Sequence, residues 1–121
     1  IATMYSKSNK VQSRAYARKA IQVKPSYGKA YLLIASLYGS SINECGSTQF
    51  EKRAVYWLAA QYCDKAAAAD STLKGKASGD AARYRAAAPS KTEIFQENKA
   101  GQRIAFNCWI GESVVVPNIG K

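Results

Sequence analysis

Histidine is absent from this chain of 121 residues. That removes the commonest general base and metal ligand, and with them every Ser-His or Cys-His catalytic arrangement. Acids are scarce, 8 against 18 Lys plus Arg, which leaves a formal net charge of +10. The eight acids show no pairing suited to acid–base work. Gly75-Lys76-Ala77-Ser78-Gly79 lacks the spacing of a phosphate-binding loop. No apolar run approaches the roughly 18 residues of a membrane-spanning helix. Cys45, Cys63 and Cys108 contain no CxxC pair, too little for a multi-bridge framework or a zinc site. One bridge is possible, and which two sulfurs it joins stays open, as does the redox compartment. An unpaired Cys63 in the core is the preferred reading, with Cys108 beside Trp109 read as packing. These absences point away from an enzyme, a cofactor or a metal and towards a structural or binding role.

What is present is alanine-rich and, up to about Ala88, broken by a single proline, Pro25, a composition that favours helix. Apolar and small residues recur at helical spacing through Val11-Ala15-Ala20, Ala30-Leu33-Ile34-Leu37-Tyr38 and Val55-Ala59-Tyr62-Ala66. Pro25 ends the first helix, and the next starts near Ser26. Gly39-Ser40-Ser41 and Cys45-Gly46-Ser47 bracket a loop. Thr48-Gln49-Phe50-Glu51 and Ser90-Lys91-Thr92-Glu93 are capping boxes that predict helices over about 48–69 and 91–97. A weaker helix over about 73–87 carries Gly75 and Gly79. After Lys99 the period changes: 102–110 and 113–116 read as two strands around Gly111-Glu112, a hairpin expected to lie against the last helices. Ile1-Ala2-Thr3-Met4-Tyr5 reads like the end of a helix begun upstream, so the chain is expected to be part of a longer one.

A repeat is legible in the helices. Tyr31, Ile34, Ala35 and Tyr38 fit the large, branched, small and aromatic slots of a W-x2-L-G-x2-Y first helix. Ser13, Ala17, Ala20 and Pro25 occupy second-helix slots of the preceding unit. Ala59, Cys63 and Ala66 occupy those of the next, with Ser71 where proline would stand. The extra 12 residues relative to a standard unit fall between 39 and 58. The chain thus resembles the C-terminal part of a bacterial tetratricopeptide-repeat protein. It more closely resembles an exported group from Bacteroidota-type bacteria, through Tyr27–Ile34, Cys45-Gly46, Phe50–Trp57, Pro89–Phe95 and Trp109-Ile110. The resemblance implies a mainly α fold of antiparallel helix pairs stacked as an α-solenoid, with repeats over 1–88. A capping helix and a small β-hairpin fill 89–121. It further implies a non-enzymatic scaffold for partner proteins within a larger assembly, located in the periplasm or at the outer membrane.

In such a stack the concave face is lined mainly by first helices, which makes Lys29, Leu32, Leu33 and Ser36 the partner-binding candidates. A second set is Lys10, Arg14 and Arg18, spaced i, i+4, i+8, with Lys7 nearby. These cations could meet an anionic polymer such as nucleic acid, lipid or polysaccharide, although a solvated outer face is the simpler reading. Tyr56, Trp57 and Tyr62 on one helix could line a peptide groove but are better assigned to packing.

Overall fold

Local chemistry sets several of the helix boundaries. In the computed structural model, which describes residues 7–118, α1 (Lys7–Val23) stops before Pro25, and α2 (Gly28–Gly39) follows a short turn. The Thr48 hydroxyl accepts from the Glu51 amide and opens α3 (Gln49–Ala69). Ser90 and Glu93 form a complete capping box at the head of α5 (Lys91–Glu97). Asn98, in the left-handed conformation that Asn tolerates, closes that helix. Between them α4 (Lys74–Ala87) grows directly out of a single 3-10 turn, Ser71–Leu73. The reading of Ile1–Tyr5 as a helix end lies outside the described residues.

The molecule is mainly helical with one small antiparallel sheet. Successive helices run in opposite directions. Lys10 near the start of α1 reaches Ser41 just past α2, and Gly28 at the start of α2 abuts Ala66 and Asp70 at the end of α3. Tyr56 in the first half of α3 stacks on Tyr84 near the end of α4, with ring centroids 5.8 Å apart. It follows that α2 and α4 are parallel, side by side over α3. Their approach is close: a Cβ on Gly39 would lie 2.8 Å from the Tyr84 ring.

The core is one cluster running from α1 to the hairpin. Small residues on α3 and α4, among them Ala54, Ala59, Ala66, Ala77 and Ala81, are fully or nearly fully buried, which lets these helices pack without large side chains intervening. Of the assigned repeat-packing residues, Ala17, Ile34, Ala35, Tyr38, Ala59, Cys63 and Ala66 are buried. Tyr31 and Ala20 are half-buried, and Pro25 is exposed. The aromatics of α3 pack inward or sideways, Trp57 on Phe50 and Tyr62 on Tyr31 and Tyr38.

The hairpin departs from its expected form. Its strands are only three residues each, β1 (Arg103–Ala105) and β2 (Ser113–Val115), with Ile104 opposite Val114. Residues 106–110, expected to extend the first strand, instead form a looped end. There the Gly111 amide donates to the Phe106 carbonyl and the Phe106 amide to that of Glu112. Tertiary anchors explain the change: Phe106 and Ile110 are buried, and Cys108 is bonded to Cys45. Cys108 is therefore a covalent anchor and not merely packing. Burial and a covalent bond outweigh the two or three extra ladder hydrogen bonds that a longer strand would have made.

Candidate partner-binding groove

Because α2 and α4 are parallel neighbours lying over α3, a furrow of about 360 Å³ remains between them. Its floor is Ala35 and Cys63, small enough to leave depth; its walls are Leu32, Leu33, Leu73 and Tyr84. Lys29, Ser36, Lys76 and Asp80 stand at the rim, with Lys76 and Asp80 paired at 3.4 Å. All four α2 candidates, Lys29, Leu32, Leu33 and Ser36, thus line one surface. The α4 contribution went unrecognised in the sequence, although Lys76, Asp80 and Tyr84 share one helix face at i, i+4, i+8 spacing.

Burial pushes the Cys63 thiol up to about 11, with Asp80 and Asp64 adding to the effect, so it stays protonated at neutral pH. Tyr84 is likewise raised by burial. Among the described residues no cluster of Cys, Asp and Glu could hold a metal ion, and no helix is long and apolar enough to cross a membrane.

The other candidate set lies on a different side and faces inward. Lys10 is only 5 % exposed; its ammonium donates to the Ser41 hydroxyl at 2.9 Å and to Glu44 at 3.0 Å. Arg14 donates to the carbonyls of Ile110 and Trp109 at 2.6 and 3.0 Å and to the Tyr38 hydroxyl at 3.0 Å. Its guanidinium also lies 4.9 Å from the Trp109 ring centroid. Arg18, more exposed, reaches Glu112 at 3.3 Å. Neither an open anionic-partner surface nor a solvated face describes Lys10 and Arg14: both are spent on holding the hairpin and the 39–47 loop. Their acceptors lie 24 to 96 residues away in sequence, so no local pattern announces them.

Glu112 is the counterpart on the hairpin. Its carboxylate accepts from Tyr38 at 2.6 Å and Tyr62 at 2.8 Å, besides Arg18. Burial, reinforced by this neighbouring carboxylate, pushes both tyrosine hydroxyls up, so they remain donors at any physiological pH. The Trp109 indole donates to Ser41, and the Cys45–Cys108 bond lies close by in the same joint. A second joint holds α5: Arg53 donates to Glu93 and to the Ala87 and Ala88 carbonyls. That guanidinium, with the Ser90 amide, holds the Glu93 carboxyl well below its ordinary value, at about 2.

Comparison with family models, with curated proteins and with solved structures finds no match.

Proposed function

We propose that this chain is the C-terminal part of a tetratricopeptide-repeat scaffold that holds a segment of a partner protein in the furrow between α2 and α4. The observation that carries the reading is the convergence of Lys29, Leu32, Leu33 and Ser36 with Leu73 and Tyr84 on one apolar-walled, charge-rimmed groove. Parallel first helices over a shared second helix are the arrangement such a scaffold uses to present a binding surface. The Cys45–Cys108 bond supports an oxidising, exported setting. Adaptor binding to an anionic polymer is the weaker reading, because Lys10 and Arg14 already have partners within the chain.

The test is affinity isolation of the full-length protein from its native cells, with wild type beside Leu32→Asp. A protein recovered at high salt with wild type and lost with Leu32→Asp supports the groove. Recovery of nucleic acid or lipid alone, released steeply by salt, overturns it.

A further inference from the structure

We infer that the Cys45–Cys108 bond is a thiol–disulfide exchange site, opened in the folded protein by a dithiol partner that attacks the Cys108 sulfur. The two half-cystines are unequal. Cys45 is fully buried, whereas Cys108 is half-buried. Cys108 also borders a hollow of about 500 Å³, with Glu44, Ser47, Glu51 and Asn107 among its other walls. A thiol attacks the sulfur it can reach, so exchange in the native fold falls on Cys108. Charge does not bar the approach. Lys10 pairs with Glu44 at 3.0 Å, and Glu51 accepts from the Ser47 amide and hydroxyl, with Lys99 adding its field. Cys63 borders the α2–α4 furrow and not this hollow, so it offers no third sulfur there.

The joint around the bond keeps the two sulfurs together once it opens. Ser41 is the pin. Its hydroxyl accepts from the Lys10 ammonium, which also holds Glu44, the residue before Cys45. The same hydroxyl accepts from the indole of Trp109, the residue after Cys108. Arg14 adds its bonds to the Trp109 and Ile110 carbonyls. Both cysteines therefore stay tethered to one point with the covalent bond gone, and this selects the partner. An attacking thiolate bonds to the Cys108 sulfur, and Cys45 leaves with the electron pair of the broken bond and takes up a proton. A monothiol is then expelled when Cys45, still in place, attacks Cys108 in return. A dithiol finishes the exchange: its second thiolate attacks its own first sulfur in the mixed disulfide, and Cys108 leaves and is protonated. The partner ends as a disulfide, and two electrons and two protons have passed to Cys45 and Cys108. A protein carrying a C-x-x-C dithiol has this chemistry.

The experiment follows the full-length oxidised protein in native buffer, with dithiothreitol as the dithiol probe and 2-mercaptoethanol as the monothiol. Samples are quenched in acid and the sulfurs mapped by mass spectrometry. The opening rate is expected to rise in proportion to thiol concentration, with mercaptoethanol adducts on Cys108 exceeding those on Cys45 about tenfold or more. Hairpin amides are expected to exchange slowly in the reduced protein still. After dithiothreitol is removed, a small neutral disulfide restores the Cys45–Cys108 bond alone. Four results overturn the inference: an opening rate that levels off at the unfolding rate as thiol is raised, adducts borne equally by Cys45, hairpin amides that lose protection on reduction, or re-oxidation that links Cys63.

Discussion

Two sets of cations, one on α1 and one on α4, behave oppositely in the fold. Lys10, Arg14 and Arg18 turn towards the hairpin and the 39–47 loop, and their acceptors are carbonyls, hydroxyls and carboxylates distant in the chain. Lys76 and Arg83 stay at the surface, both paired only with Asp80 on their own helix. The first set holds elements together; the second keeps a face wet. Charge alone does not distinguish them, because the difference is made by what the rest of the chain brings to each set.

The contrast can be broken or sharpened by substitution. Replacing both Cys45 and Cys108 by serine removes a covalent link across 63 residues, which loop-closure entropy values at about 4 kcal/mol, read as a lower urea midpoint. If the α1 row holds the hairpin unaided, hairpin amides stay protected from exchange in that variant. Arg14→Ala leaves the Trp109 and Ile110 carbonyls and the Tyr38 hydroxyl without their donor and costs about 3 kcal/mol in the same denaturation assay. The Arg53–Glu93 joint is intermediate, being more open to water. With Glu93 held at about 2 against an ordinary 4.5, its contribution is complete above 4.5 and is lost as pH falls towards 2. Glu93→Gln therefore flattens the acid limb of a stability-versus-pH curve. On the α4 side, Gly79 has nothing within 4 Å of an added Cβ, so Gly79→Ala stabilises by about 0.8 kcal/mol through helix propensity. Arg83→Ala, at the wet end of the comparison, shifts stability by no more than about 0.5 kcal/mol.

The helices were legible because their signals are local. Pro25 stops α1, and the Thr48 cap and the Ser90 box start α3 and α5 within a residue of expectation, although the Glu51 carboxylate accepts from Ser47 and does not close a box on Thr48. Lys29, Leu32, Leu33 and Ser36, grouped on one helix by their spacing, line one side of the furrow. What escaped was everything decided by distant partners. Cys63 is buried and unpaired, as its core slot suggested, but spacing left open the pairing that joins Cys45 to Cys108. The first strand ends at Ala105 because Phe106, Cys108 and Ile110 are pulled inward. Glu112, read only as a turn residue, carries two tyrosine hydrogen bonds and an arginine. Each of these depends on a contact some 50 or more residues away, beyond the reach of a periodic pattern.

The sulfur bridge has a mechanical corollary. It makes α3, α4 and α5 a closed ring of chain, entered at Cys45 and left at Cys108. A load applied to the two ends passes through the sulfurs and bypasses that ring, so only α1, α2 and the short tail pay out. Adding reductant during such a pull releases the ring and lengthens the tether by on the order of 200 Å, the reach of 63 extended residues.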